Sequence, residues 1–438
     1  MAPLKVLISG AGIAGPALAF WLARIGCAVT VLERSVRDRH TGQQIDIRGQ
    51  GVAAMRKMGI EAAVRAHVVK EPGTLFVDGA GRHRAFFPTA ITGTGDQSIS
   101  SEFEIMRGDL CRILHDITKD GVVYRYGTSV EGFERLEGDE GVRVRLSNGE
   151  ELTFDLVVGC DGIHSKTRHL MLGPDTPDAF RFGGSVISWV TIPAEKGDTN
   201  NFTIYIAPGR RVICTRKDRA DCLRVYFLTS VYGLPKDHPL KTTLKSGDVA
   251  AQKHAWAAHF KGAGWQAERF TREFVASPLA DDWYCSESGQ VKLDAWSKDR
   301  VTLLGDAAYC PSPAAGQGTA LALVGAYVLA GEIARHCGLD ADPKGGETVN
   351  SPEMVRQGIP AALRAYETTL RPLISKVQKA SEKPGGGGYP NSKLVVSLVY
   401  VVTGLVQKLG IDRLLTRIMT GSGAGWSLPE YEELEGSY

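Results

Sequence analysis

Three short stretches carry the residue types that handle nucleotides. Residues 8–15 read ISGAGIAG, so Gly10, Gly12 and Gly15 form G-x-G-x-x-G, with Ile13 and Ala14 between the last two glycines. Gly10 permits a tight turn, Gly12 lets the backbone approach a pyrophosphate, and Gly15 lets a helix pack closely on a strand. The first amides of that helix, with a favourable dipole, then face the anion. Glu33 follows 18 residues after Gly15, where a carboxylate accepts hydrogen bonds from ribose hydroxyls and repels a 2′-phosphate. Its neighbour Arg34 keeps NADP open, so this motif predicts a dinucleotide and leaves NAD and FAD undecided. The second stretch, DLVVGCDGIHSKTR (155–168), sets Asp161-Gly162 after an apolar run. The third, RVTLLGDAAYCPSPAAGQG (300–318), sets Gly305-Asp306 after another, then Pro311 and a Gly-Gln-Gly turn. No Ser/His/Asp set accompanies them, and the eight cysteines include no C-x-x-C pair, so no metal is expected. His254 and His259 are five apart, which does not stack them on one helical face.

Each stretch needs a strand that ends at its turn. Leu4–Ser9 reads as a buried strand, Pro16–Ile25 has helical spacing, and Ala28–Leu32 is a second β-rich run, which together make the β-turn-α-β unit the glycines require. Met106–Lys119 reads as a helix. Val122–Tyr126, Ser129–Leu136 and Val142–Leu146 read as strands of a meander, with Asn148-Gly149 as a hairpin turn, and Leu156–Gly159 as another buried strand. From about 181 to 282, alternating runs such as Ser185–Ile192, Asn201–Ala207 and Leu223–Thr229 predict a mainly antiparallel sheet and hence a second domain. Val301–Leu304 returns to the buried-strand type, Gly318–Arg335 is a long apolar helix, and residues 338–360 read as a surface loop. Beyond a glycine run at 385–388, Leu394–Val406 is strongly apolar but at 13 residues falls short of the ~20 that span a bilayer. With the amphipathic QKLGIDRLLTRIM after it, the tail predicts a helix pair bridging the two domains, with peripheral membrane or dimer contact as alternatives.

Taken together, the three motifs resemble the fingerprints of the class A flavoprotein monooxygenases, the family of p-hydroxybenzoate hydroxylase, over roughly residues 4–375. The resemblance implies an α/β fold: a Rossmann-like FAD-binding domain of the GR2 type, an inserted, mainly antiparallel substrate domain, and a C-terminal helical segment. On that plan residues 1–75, 103–180 and 283–375 build the FAD-binding domain, 76–102 is an excursion toward the substrate, 181–282 is the substrate sheet, and 376–438 is the tail. It also implies residue roles. Asp306 would hold the ribityl hydroxyls of FAD, and Gly316, Gly318 and Thr319 would bring helix amides to the flavin pyrimidine edge, where reduction builds negative charge. Arg107, in MRGDLCRIL, would reach the flavin or its pyrophosphate. Asp161 and Arg168 would tie strands, helix and the nicotinamide approach together. The segment GQQIDIRGQGVAAMRKMG (42–59) and the ending SLPEY (427–431) resemble the TetX-like branch of tetracycline-inactivating and polyketide-modifying hydroxylases, which would set Arg48 near the isoalloxazine and the substrate entrance. Two departures stand out: Ala320 where many relatives carry Asn, and Gly325 where many carry Asp.

In this family NADPH or NADH reduces FAD, and the reduced flavin combines with O2 to a C4a-hydroperoxide whose distal oxygen passes to an electron-rich ring, enol or alkene. Substrate is expected between the antiparallel sheet and the flavin, with Trp189, Tyr205, Tyr226 and the turn at Pro313–Gly316 as candidates beside Arg48. Alternation puts Ile187, Trp189 and Thr191 on one face and leaves open which face looks at the flavin. A flavin halogenase is disfavoured, because Trp189-Val-Thr-Ile-Pro193 misses the W-x-W-x-I-P signature. An FAD-dependent reductase or dehydrogenase, or a non-catalytic flavin-binding module, would keep the first and third motifs. With 51 Lys and Arg against 49 Asp and Glu, the charge balance argues for no nucleic-acid or anionic-membrane partner. Scattered cysteines and the absence of a signal-peptide pattern predict a reduced, cytoplasmic setting; the resemblance implies a small aromatic or polycyclic substrate, and a monomer or dimer is expected.

Overall fold

The computed structural model describes residues 3–36, 42–89, 91, 102–136, 141–341, 352–382, 389–410 and 425–435. Its first sheet has six strands in the order Ser297–Lys298, Val301–Leu303, Leu156–Gly159, Lys5–Ser9, Ala28–Glu33 and Val123–Tyr126. All pairs are parallel except the first. Val6, Leu7, Ile8, Leu156, Val157 and Val158 are fully buried, as expected of strands covered on both faces. One cover is the Ala14–Arg24 helix, and another is Gly318–Cys337, which packs on it, on Gln50–Lys57 and on Pro352–Ser381. Being enclosed on all sides explains why Gly318–Cys337 is apolar all round; among the described residues it is the one helix long and apolar enough to cross a membrane.

Val123–Tyr126 differs from the expectation. It pairs in parallel with Ala28–Glu33 at the sheet edge, and the meander proper is Val130–Arg135, Val142–Leu146 and Glu151–Phe154. The preceding helix, Arg107–Asp116, makes the connection a crossover, the only route between parallel neighbours. That helix and Gly318–Cys337 match the expected ones closely. The loop expected at 338–360 is shorter, since the Pro352–Ser381 helix begins inside it.

The second sheet has seven strands in the order Tyr284–Val291, Phe180–Pro193, Cys222–Ser230, Arg211–Arg216, Phe202–Ala207, Gly73–Val77 and His83–Pro88. Only the pairing of Phe202–Ala207 with Gly73–Val77 is parallel. The sheet therefore draws strands from both sides of 181–282, and that interval also holds the helices Pro239–Thr243, Val249–Phe260 and Ala267–Ala276. Trp256, Phe260, Phe270 and Phe274, spaced by four along two of those helices, bury one sheet face against Val186, Ile213, Val225 and Phe227. The opposite face carries Trp189, Ile204, Ile206, Tyr226 and Leu228.

The tail touches both halves. In the Lys393–Leu409 helix the Tyr400 hydroxyl donates to the Val77 carbonyl at 2.6 Å and accepts from the Ile206 amide at 2.9 Å. Further on, Tyr431 donates to Glu332 Oε1 at 2.7 Å, and the Leu428 amide donates to Gln50 Oε1 at 3.2 Å. The expected second amphipathic helix lies, beyond residue 410, outside the described residues, as does the glycine run at 385–388.

Candidate cofactor and substrate site

The glycine loop opens on a groove of about 470 Å³ lined by Gly10, Gly12, Glu33, Arg34, Arg107 and Asp161, among others. Its shape depends on the absence of side chains. Gly10 has φ +113°, and a Cβ there would lie 2.6 Å from the Cys160 carbonyl; at Gly15 it would lie 2.0 Å from the Gly10 carbonyl. The Gly10 amide donates to Leu32 O at 2.8 Å, which pins the loop to the neighbouring strand. Glu33 accepts from the Ala11 amide at 3.1 Å and the Ser35 amide at 2.9 Å, so its carboxylate is held at the groove wall. The following helix starts at Ala14 with Ile13 before it and no side-chain cap, leaving its first amides for an anion. Arg107 reaches over this start: its guanidinium is 3.5 Å from where a Gly12 Cβ would be.

The other two motifs join here. Asp161 accepts from the Ser165 hydroxyl and from the Thr167 amide and hydroxyl at 2.9 and 3.0 Å, fastening its turn to the Lys166–Leu172 helix. Fully buried Arg168 donates to Ala307 O at 3.0 Å and to Ile163 O at 2.7 Å, which locks the second motif to the third. Asp306 opens a short helix after Gly305, whose φ is +67°. Gly318 is so placed that a Cβ would lie 3.7 Å from Asp306 Oδ1, which brings the start of the long helix beside this carboxylate. Pro311 precedes Ser312, held at φ +83°, and Gly316 follows at φ +60°, turning the chain into an uncapped helix start at Gly318-Thr319. A carboxylate at the strand end, a cation over a glycine loop, a second carboxylate and two uncapped helix starts form a set of donors and acceptors that fits a dinucleotide with a long polar spine. Ala320 has a packing reason: a Cβ on Gly51 would already sit 2.6 Å from it, so the Gln50–Lys57 helix leaves no space for a longer side chain. Gly325 likewise gives way to Tyr309, whose hydroxyl is 2.0 Å from where a Cβ would be.

The strand Gln44–Asp46 links the groove to the open sheet face. The Gln43 carbonyl accepts from the Arg107 amide at 3.0 Å, and its side-chain oxygen accepts from the Tyr284 hydroxyl. Tyr284 stacks on Trp189 at 4.8 Å and 15°, and Tyr226 meets Trp189 edge-on at 6.5 Å. The face left undecided by alternation is thus the one turned to the groove, and Trp189 and Tyr226 both lie on it. Burial pushes the hydroxyls of both Tyr226 and Tyr284 well above the usual phenol range. Arg48 pairs with Asp46 just ahead of the Gln50–Lys57 helix. Tyr205 is a correction: it points to the helical side, donates to the Ala263 carbonyl and is core. Strand alternation separates it from Ile204 and Ile206, its neighbours on the groove side. Sequence reasoning missed Tyr284 and a buried cluster of Gln44, Glu71, Glu104 and Arg216 on the same side. Arg216 lies in RVICTR, whose consecutive apolar residues give no strand alternation, and Glu71 carried no signal.

A family model described as an FAD binding domain matches residues 3–231 and 284–351. The FAD-dependent monooxygenase asL4 of Sarocladium schorii is 40% identical over 440 residues, covering 99% of both chains. The flavin-dependent monooxygenase eupH of a Phoma species is 42% identical over 415 residues, 92% of each. Among solved structures, tetracycline destructase Tet(55) is 28% identical with a TM-score of 0.74, covering 98% of this chain and 99% of that one.

Proposed function

The chain belongs to the FAD-dependent monooxygenases that share this FAD binding domain, and we propose that it oxygenates an aromatic or polycyclic small molecule of secondary metabolism, with NADPH or NADH as reductant. Membership sets aside the reductase and the non-catalytic module. The observation that supports this substrate class is the aromatic wall of Trp189, Tyr226 and Tyr284, joined through Gln43 to the same arginine that overhangs the glycine loop. Flat rings are what such a wall stacks best. Tetracycline, named for the structural relative, is a polycyclic molecule of that kind.

FAD supplies electron storage and O2 activation when bound; the chain supplies position and field. Glu33 would take the ribose hydroxyls, with Arg34 beside it, and the Gly10–Gly15 amides with Arg107 the pyrophosphate. Asp306 would take the ribityl chain, and the amides of Gly316, Gly318 and Thr319, after Pro311, the pyrimidine edge. Asp161 would act through the turn it fastens. Arg48 would stand at the substrate side, held in place by Asp46.

Three measurements test this. The purified protein should be yellow, and phenols or polycyclic ketones should accelerate its NAD(P)H oxidation. Asp306→Ala should lose FAD on gel filtration while the chain stays folded by circular dichroism. Stoichiometric flavin in that variant would refute the assignment of the third motif.

A further inference from the structure

The Lys393–Leu409 helix turns to solvent a face that water does not favour. Its inner face is committed to the seven-stranded sheet: Val396 and Tyr400 are buried, Tyr400 bonds to Val77 and Ile206, and Gln407 Oε1 accepts from the Phe86 amide at 3.1 Å on the edge strand. Leu394, Leu398, Val401, Val402, Leu405 and Leu409 follow helical spacing on the outer face and are 49% to 84% exposed. Single exposed aliphatic side chains are ordinary on a protein surface, whereas a contiguous stripe of them marks an interaction site. At 17 residues the helix is about 25 Å long, too short to cross a bilayer and long enough to lie along one.

Charge says what the stripe meets. The whole chain is nearly balanced, but residues 383–411 hold Lys383, Lys393 and Lys408 and no Asp or Glu. Lys393 and Lys408 stand at the two ends of the stripe, both exposed. Beside the helix, Arg84, whose guanidinium lies 6.0 Å over the Tyr400 ring, and Arg82 share the carboxylate of Asp78. A second copy of this helix would offer those lysines no acid. Crossing antiparallel it would bring Lys393 against Lys408, and crossing parallel each lysine against its own counterpart. Anionic lipid answers both features, since lysine stems run along the apolar zone while their ammonium groups reach the headgroups.

We propose that this helix docks on the surface of a bilayer containing anionic lipid, lying in its plane with the aliphatic stripe among the acyl chains and Lys393 and Lys408 at the headgroups. The same docking sets the substrate side at the lipid. Just ahead of the helix, Tyr389 packs on the cluster of Val212, Cys214 and Tyr226 on the open sheet face. The Pro390 and Asn391 carbonyls accept from the Arg210 and Gly209 amides at 3.0 and 2.8 Å, which fastens the helix start to the turn between the Phe202–Ala207 and Arg211–Arg216 strands. A flat apolar substrate dissolved in the bilayer would then reach the Trp189 face without crossing water; this consequence, unlike the docking, rests on the monooxygenase reading.

The test floats the full-length, FAD-loaded protein with vesicles on a density gradient, which separates bound protein from aggregate. Vesicles of equal parts phosphatidylcholine and phosphatidylserine should carry it upward, and phosphatidylcholine alone should carry less. Leu398→Glu with Leu405→Glu should lower the partition coefficient about tenfold or more per leucine. Lys393→Gln and Lys408→Gln should each lower it about fivefold, on the anionic vesicles only. These side chains all lie outside the fold, so flavin absorbance and NADPH oxidation with a water-soluble phenol should stay at the wild-type level. Wild-type protein that does not float, or that floats no better than the glutamate variant, overturns the proposal. So does a dimer in light scattering that the glutamate variant splits, which would make the stripe a contact between copies. Flotation seen only after residues 411–424 are replaced by a Gly–Ser linker of equal length would show that this segment covers the stripe, and overturns it too. Flotation needs no turnover, so a failure of the monooxygenase reading leaves its result readable.

Discussion

His259 lies under the helical side of the seven-stranded sheet, its Nε2 2.9 Å from the Thr229 hydroxyl and its ring 5.4 Å from that of His238. The Arg211 guanidinium donates to its carbonyl at 3.0 Å. Burial, then His238 and Arg211, lower its pKa from 6.5 to about 4. The unfolded chain therefore takes up a proton near pH 6.5 that the folded one refuses until about 4. The resulting stability is complete above pH 6.5 and is lost as pH falls through that window, by about 3 kcal/mol. His259→Gln should flatten thermal stability between pH 4 and 6.5 in melts across that range; an unchanged slope would place the histidine in solvent. Glu71 has the opposite sign. Burial, with Glu104 adding and Arg216 opposing, raises its folded carboxyl above the usual range, so its contribution declines as pH rises through that range. Both effects belong to side chains whose surroundings come from distant parts of the chain, which is why composition and spacing said nothing of them.

At the scale of elements, local constraints were legible and partners were not. The need for glycine at positions 10 and 15 arises inside one β-turn-α unit, from a positive φ and one close approach, and a pattern of 30 residues can carry it. The Val123–Tyr126 and Tyr284–Val291 strands joined sheets that no local pattern assigned, because a short β-rich run specifies its faces and not its neighbour. The buried polar cluster assembles from residues 44, 71, 104, 216 and 226, of which only Tyr226 stood out in its own segment. The crossing of the Gln50–Lys57 and Gly318–Cys337 helices rests on Gly51 against Ala320. Gly51→Ala should therefore cost about 1–3 kcal/mol through overpacking and weaken FAD binding. Ala320→Gly alone should cost up to about 1 kcal/mol, and the double variant should cost less than the sum. Thermal melts of the FAD-loaded proteins measure the cycle, and strict additivity would mean the two residues do not touch.

At the scale of the molecule, the interior divides. One core runs through the parallel sheet and its helices, from Leu4 to Leu434. The second is built from Leu75 to Ala280 between the seven-stranded sheet and its own three helices. What joins them pairs one small apolar cluster, Ala179, Val291 and Cys310, with polar contacts: Tyr284 to Gln43, Arg216 to Glu104, Tyr431 and Leu428 on one side and Tyr400 on the other. Apolar burial drives cooperativity, and a polar seam transmits less of it, so two cooperative units are expected. The groove lined by Glu33, Arg107 and Asp161 belongs wholly to the first unit, and His259 packs on the second. In calorimetry, FAD at a hundred times its dissociation constant should raise one transition by about 2.7 kcal/mol and leave the other in place. His259→Gln at pH 7.5 and pH 5 should move only the second, and only at the lower pH. A single transition that both changes shift alike would show the seam to be as strong as the cores it separates.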